Sequence, residues 1–238
     1  MNTFFTMLKT ETKLSLRGMD MPFFGVLMPI GLMLLIGSIS GGQGVRENFA
    51  GVAAVGICAA GLMGIPLTFA GYRHGKILKR FRVSPVSPFM LLAAVGTLQL
   101  VFAWVSGFGV YLTAWLAFGM EPPEAPFRYI LTFLFVQLAV YSVGFLVASL
   151  APNMKTANLI CTVLYFPMLF LSGTTVPFEI LPRGLQRVSQ IFPLTQGILL
   201  LKGAVTGTDM AADTVRFIIL GITALIALGI SLVFFRWE

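Results

Sequence analysis

Six long stretches of this sequence carry no charged residue, and they constrain the fold more than any other feature. They cover residues 21–45, 48–72, 83–120, 129–154, 156–178 and 217–235, and each is 19 to 38 residues long. An α-helix rises about 1.5 Å per residue, so about 20 apolar residues cross the hydrocarbon of a bilayer. Only 11% of all residues are charged, against about 25% in an ordinary soluble protein. The sequence therefore predicts an all-α polytopic membrane protein with six transmembrane helices.

The apolar runs also set approximate bounds for these six spans within a single transmembrane domain, residues 1–238. Glycine, proline and polar clusters between the runs mark the connections. The fifth span is short, because its run becomes polar at Ser172 and then reaches Pro177. The predicted spans are about 22–39, 49–72, 87–118, 129–150, 157–172 and 213–235.

The distribution of basic residues predicts the orientation of the chain. Lysine and arginine in short loops stay on the cytoplasmic side of a membrane. With six spans, one side collects ten basic and three acidic residues, whereas the other side has six of each. We therefore expect both termini and the loop after the second span to be cytoplasmic. A cleaved signal peptide is the competing interpretation of the N-terminus, and it is disfavoured because 20 residues precede the first run.

The N-terminal residues 1–20 are predicted to form an interfacial helix rather than a span. Lys9, Lys13 and Arg17 recur at intervals of four residues and so share one stripe of a helix, beside apolar side chains. This pattern is typical of a helix that lies in the plane of the membrane interface. The alternative is a frayed, positively charged tail, because short helices are marginal on their own.

A second amphipathic helix is predicted at about 73–84, between the second and third spans. Ile77, Leu78 and Phe81 form a small apolar face, and most of the remaining positions are basic. Ser84-Pro85 ends the element, since proline disfavours helix in the residue before it. Such a face would suit a groove on a cytoplasmic partner. Simple anchoring by positive charge is the alternative.

A helical hairpin is predicted on the outer side, at about 174–207. Residues 183–192 carry apolar side chains at amphipathic spacing, and residues 194–205 form a second helix that is too short to cross. Pro193 separates the two. Irregular backbone at membrane depth is tolerated only where protein or water covers it. We therefore expect this hairpin to dip into the outer leaflet and either to pack in a bundle or to border a cavity.

Catalytic and metal-binding motifs are missing from the sequence. It has no Walker A pattern, one histidine at His74, and two cysteines, Cys58 and Cys161, that lie apart in separate apolar runs. A metal site or a buried nucleophile with its base needs such groups close together. We expect no catalytic residue, no metal site and no directly bound cofactor. The basic charge is explained by the membrane and requires no nucleic acid.

The order of these elements resembles that of the permease subunit of type-2 ATP-binding-cassette (ABC) exporters, over nearly the whole chain. In that family an interfacial helix precedes six spans, a coupling helix follows the second span, and an extracellular hairpin lies between the fifth and sixth. Arg73-His74 stand where the family often has an acidic residue. The matching stretches are Gly75 through Pro88, and Leu171-Ser172-Gly173 followed by Pro177, Leu181-Pro182 and Phe192-Pro193-Leu194.

The resemblance implies half of an exporter in the cell (plasma) membrane of a prokaryote. A second permease chain, identical or related, would complete the pathway, and separate ABC ATPase subunits would dock on the coupling helices. Those subunits, and not this chain, would use ATP and Mg. The implied coupling residues are Arg73, Gly75, Lys76, Ile77, Leu78, Lys79, Arg80, Phe81 and Arg82, and the implied residues of the extracellular hairpin or gate are Ser172, Gly173, Pro177, Glu179, Pro182 and Pro193.

The composition of the spans favours one class of cargo. They are uncharged, and the chain holds 22 Phe and 12 Met, which favours an amphiphilic or drug-like, peptide or lipid-like substrate. It would leave the cytoplasm by alternating access at a dimer interface. The alternatives within the resemblance are haem, polysaccharide or another cargo. Outside it, a membrane scaffold that transports nothing is the remaining hypothesis, since an intramembrane enzyme lacks its catalytic residues here.

Overall fold

The computed structural model describes residues 3–19, 21–42, 44–78, 88–173, 182–207 and 210–234. Within these ranges the regular structure is helical and no strand occurs, which confirms the all-α prediction. The helices are α1 (Thr3–Gly18), α2 (Met21–Ile39), α3 (Val45–His74), α4 (Pro88–Phe118), α5 (Pro126–Leu150), α6 (Met154–Leu171), α7 (Arg183–Ser189), α8 (Pro193–Thr206) and α9 (Met210–Phe234).

Six of these helices, α2 to α6 and α9, are long and apolar enough to cross a membrane, as the sequence predicts. The pair α7 and α8 would count as a seventh if it were one span, but the two helices meet at 90°. The chain is therefore a polytopic helical membrane protein. Its successive spans alternate in direction, so the turn at 75–76 and the C-terminal end of α5 lie at one end, here called the basic end.

The fifth span begins earlier than the predicted residue 157. The Asn153 side chain accepts a hydrogen bond of 2.9 Å from the backbone N–H of Thr156, so α6 begins at Met154. Asparagine is a strong N-cap because its side-chain oxygen satisfies a helix N–H that has no partner within the helix. The local cap therefore adds three residues to a span that the apolar pattern alone makes too short.

The helix α3 occupies the centre of the bundle, and most of its length is buried. It changes to π-helical geometry at Ala59–Gly64, and α2 begins with a second π-helical segment, Met21–Leu27. Small residues let α3 approach its neighbours: a Cβ atom at Gly144 of α5 would overlap the carbonyl oxygen of Gly61. Such small-residue contacts are the usual way in which membrane helices pack closely, because lipid supplies no hydrophobic drive for their association.

A buried polar network joins α4 to α5 inside the bundle. The Tyr141 hydroxyl donates to the Gln99 carbonyl at 2.6 Å, and the Gln137 amide donates to the Leu100 carbonyl and the Tyr141 hydroxyl, both at 3.1 Å. Uncharged polar groups of this kind were not singled out from the sequence, where they lie within charge-free runs. In hydrocarbon they fix the register of two helices, since an unmet polar group there is costly.

Ion pairs hold the end of the bundle opposite the basic end. The Asp213 carboxylate is almost fully buried and accepts from Arg128 and Arg216, each at 2.6 Å. The Arg46 guanidinium contacts Glu124 at 2.8 Å and the Val205 carbonyl at 3.2 Å. These contacts tie α5 to α9, and α3 to the connection after α4 and to the end of α8.

Candidate functional site

The predicted coupling residues lie at the end of α3 and in the loop after it, and the structure describes them as far as Leu78. The span continues to His74, two residues beyond its predicted end at 72, and then Gly75 and Lys76 form a turn. Lys76 has a φ of 53°, the left-handed conformation that side chains other than glycine seldom adopt. His74, Gly75 and Lys76 are exposed. Lys79, Arg80, Phe81 and Arg82 lie outside the described residues.

Arg73 fastens this loop to the end of α5. Its Nη1 donates to the carbonyl oxygens of Ala148 and Ala151 at 2.5 and 2.6 Å. The last carbonyls of a helix lack partners within the helix and carry a partial negative charge, so a guanidinium stabilises them. Arg73 therefore joins the second span to the fourth.

The apolar residues of the loop point into the protein. The Leu78 side chain is 2% exposed and belongs to the main core, and Ile77 is half-buried against the same core. The prediction that both lie on an exposed face is wrong for Leu78. The helical bundle of the same chain is the nearest apolar surface, so the hydrophobic effect buries these side chains there in the absence of a partner. Buried Leu78 anchors the start of the segment to the bundle.

The predicted hairpin lies between α6 and α9, and the structure describes both of its edges. Ser172 ends α6, its hydroxyl donates to the Leu169 carbonyl at 3.2 Å, and Gly173 adopts a left-handed φ of 82°. Pro182 precedes α7, and Pro193 is the first residue of α8, where a missing N–H does no harm. Pro177 and Glu179 lie outside the described residues.

The second helix of this hairpin, α8, is an integral part of the bundle. Most of its side chains are buried, and it contacts α3, α5 and α9. Gly197 allows one of these contacts, because a Cβ atom there would meet Val136 at 2.5 Å. Packing on three sides makes α8 a rigid wall of the transmembrane bundle.

No group of three or more His, Cys, Asp or Glu within the described residues could hold a metal ion. The two cysteines that the structure describes are buried, as expected for packed thiols. What these residues build is a helical bundle with the basic loop after α3 at one end and the packed helix α8 between the fifth and sixth spans.

Comparisons with known proteins support this interpretation. Residues 2–206 match the model of the ABC-2 type transporter family. Nodulation protein J of Rhizobium leguminosarum bv. viciae is 35% identical over 74 residues, which are 31% of this chain and 29% of that protein. Nodulation protein J of Rhizobium meliloti (strain 1021) is 34% identical over 73 residues, 31% of this chain and 28% of that protein.

The matched segments thus span less than a third of either relative. No solved structure was found to match the chain. The family model, in contrast, covers most of the chain and includes five of its six spans together with the loop after α3 and the hairpin. It confirms the resemblance seen in the sequence. This chain belongs to the ABC-2 type transporter family.

Proposed function

We propose that this chain is the permease subunit of an ATP-driven exporter that moves an amphiphilic substrate out of the cytoplasm. The observation that carries the proposal is the family match over residues 2–206, which includes the loop after α3. Transport and an ATPase partner belong to the family as a whole. Direction, cargo and mechanism are added here, from the residues described above.

The proposed path of coupling begins at the loop after α3. An ATPase subunit would contact the segment at about 73–84, including Lys79, Arg80, Phe81 and Arg82. Buried Leu78 and the hydrogen bonds from Arg73 to the end of α5 attach the start of this segment to two spans. A displacement of the loop would therefore move α3 and α5 together, since packed helices transmit strain instead of absorbing it.

An apolar cargo is supported by a cavity at the end of the bundle opposite the basic end. The cavity has a volume of about 310 Å³ and its walls are largely aromatic and proline side chains. Among them are Phe49, Trp104, Tyr111 and Tyr129. Walls of this kind suit an apolar or aromatic group better than a bare ion, because almost no polar atom is present to replace water. Haem or polysaccharide is the alternative cargo.

A second permease chain is supported by one face of α6. Leu159, Val163, Phe166 and Phe170 are all exposed, and their spacing of four, three and four residues matches the seam of a coiled coil. Phe166 and Phe170 stack with a centroid distance of 6.3 Å. We propose that this stripe packs against the same stripe of another copy or of a related chain, and that the pathway lies beside that contact.

Orientation and location follow from charge. The basic loop after α3 would face the cytoplasm, together with both termini, in the cell membrane of a prokaryote. In this orientation the ATPase has access to the loop, and the hairpin of α7 and α8 closes the outer side. A reporter that works only in the cytoplasm should then be active when it is fused after residue 238, and a reporter that works only outside the cytoplasm should be inactive there.

Pull-down with a candidate ABC ATPase subunit tests the docking step. Wild type should retain the ATPase, and Phe81→Asp should lose it, because a carboxylate on the apolar face of the segment opposes burial. Phe127→Asp is the matched control, since Phe127 is 72% exposed and begins α5 at the other end of the bundle. Equal retention by Phe81→Asp and the control would refute the proposed contact.

Transport is tested in proteoliposomes that contain both subunits. ATP-dependent movement of a labelled amphiphile, absent without the ATPase, supports the proposal. Movement of haem or of a polysaccharide instead would support the alternative cargo. A scaffold would move none of the three with any ATPase that it retains.

A further inference from the structure

A cavity of about 440 Å³ lies at the basic end of the bundle, where α1 packs against the spans. Its walls come from α1, from both π-helical segments, from the last turns of α3 and from α4. Most of the lining is apolar, and a few polar groups converge on it. The family match and the proposed function assign nothing to this cavity.

Both π-helical segments reach the same cavity. Met21 comes from the first segment, and Met63 and Gly64 come from the second. A Cβ atom at Gly64 would meet the Met21 methyl at 2.6 Å and the Gln99 side chain at 2.7 Å. Gly64 thus makes room for the Gln99 amide in the wall. π-Helical turns are rare and are frequently found at functional sites, so two of them at one cavity single this cavity out for closer attention.

One buried acceptor of this wall lacks a hydrogen-bond partner. Gln99 is 2% exposed and its Oε1 accepts no hydrogen bond, whereas Tyr72, which is 8% exposed, has its hydroxyl beside the Glu11 carboxyl. The neighbouring Thr68 hydroxyl is satisfied by the Gly64 carbonyl at 2.7 Å. An unmet acceptor at this depth requires an explanation, and a ligand that donates hydrogen bonds supplies one.

Glu11 of α1 adds a negative charge to the same wall. Its carboxyl is partly buried beside Tyr72; burial raises its pKa, and the tyrosine hydroxyl partly offsets this effect. A carboxylate and an amide oxygen both accept hydrogen bonds, and a tyrosine hydroxyl can accept one too. All three therefore suit a donor, and the carboxylate favours a positively charged one.

We propose that this cavity binds an amphiphile with a protonated amine, its ammonium group between Glu11, Tyr72 and Gln99 and its apolar tail among the methionines of the two π-helical segments. The chemistry is shared by an amine-bearing lipid headgroup and by a free alkylamine, and the experiment separates the two. The proposal deepens the proposed function by naming a ligand class. The test measures binding in the absence of an ATPase. Its result is therefore independent of whether the chain transports a substrate.

Photo-crosslinking tests the proposal on the full chain in nanodiscs of phosphatidylcholine. The probe is dodecylammonium with a photoreactive group on its tail, and matched probes carry a neutral alcohol or a sulfate head. The ammonium probe should label Met21 or Met63, and the other two should label them at least about tenfold less, since about 1.4 kcal/mol of differential binding is a factor of ten. Equal labelling by all three heads would overturn the proposal.

Variants then locate the head of the probe. Glu11→Gln should reduce labelling by the ammonium probe roughly tenfold, and Gln99→Met and Tyr72→Phe should also reduce it. Glu47→Gln is the matched control, because Glu47 is an exposed carboxylate at the other end of the bundle. Unchanged labelling in Glu11→Gln would refute the ammonium site, and normal elution of that variant as a folded protein excludes loss of the fold.

Nanodisc composition distinguishes the two sources of the ligand. If the natural occupant is a lipid, phosphatidylethanolamine in the disc should compete with the probe and should be found bound to the purified protein by native mass spectrometry. If it is a free amine, the probe should label equally in discs with and without that lipid. Both outcomes support a ligand with an ammonium group. If the probe labels only residues outside the cavity, the proposal is refuted.

Discussion

Replacing Gly144 with alanine tests the closest helix contact in the bundle. Gly144 lies in the C-terminal half of α5, and a Cβ atom there would overlap the carbonyl oxygen of Gly61 in the π-helical segment of α3. The obstacle at Gly61 is backbone, which cannot move aside to relieve the overlap as a flexible side chain could. Gly144→Ala should therefore push α5 away from the central helix and lower the thermal stability of the protein.

The magnitude follows from two opposing effects. Overpacking a tight core costs about 1–3 kcal/mol, and the upper end applies because the obstacle is backbone. Alanine regains about 1 kcal/mol through its better helix propensity. The net loss is about 2 kcal/mol, which for a chain of this size lowers the melting temperature by about 4–8 °C.

A thiol-reactive fluorophore in detergent measures this loss, since Cys58 and Cys161 are buried and become reactive only on unfolding. The matched control is Gly229→Ala in α9, where a Cβ atom would meet nothing within 4 Å. That variant should melt at the same temperature as wild type or slightly above it. If Gly144→Ala melts together with the control, the close approach of α3 and α5 is refuted.

Four further outcomes are expected. Arg73→Ala should lower the melting temperature, because two charge-assisted hydrogen bonds worth about 1.5–3 kcal/mol each are lost from the end of α5; an unchanged melting curve would contradict this. Asp213→Asn should destabilise the protein by about 3–5 kcal/mol in equilibrium unfolding, since two arginines lose a buried carboxylate, and a loss below 1 kcal/mol would argue against it. In a cysteine-free background, Val163→Cys should form disulfide-linked dimers under oxidation, whereas Leu225→Cys, at 74% exposure on α9, should not; similar yields would indicate random collision. Labelling by the dodecylammonium probe should weaken as the pH falls through the pKa of Glu11, which burial holds above the usual 4.5, because protonation removes the charge that binds the amine; Glu11→Gln should show no such dependence.

The spans themselves could be predicted because each one is a local property of the chain. A charged side chain in hydrocarbon is so unfavourable that a long uncharged run leaves few alternatives to a membrane helix. The family could be recognised for a similar reason, since Ser172-Gly173 and the spaced prolines at 182 and 193 are local backbone signals. All of these survive in the structure at the positions that it describes.

The candidate sites depend more on distant contacts. Leu78 has the spacing of an exposed amphipathic face, but it is 2% exposed, because the bundle covers it. The early start of α6 at Met154 depends on a cap from Asn153 that the apolar pattern does not register. In both cases the contact that a side chain makes in the folded structure differs from the contact that its spacing in the sequence predicts.

The sequence by itself determined that this chain is a bundle of six membrane helices with a basic loop after the second, because charge and hydropathy act residue by residue. Only the tertiary structure decided that Glu11, Tyr72 and Gln99 share one cavity. They lie on three helices, and their meeting depends on two π-helical turns and on the lack of a side chain at Gly64, which leaves room for Gln99. No local pattern encodes that geometry, since packing between distant segments sets it.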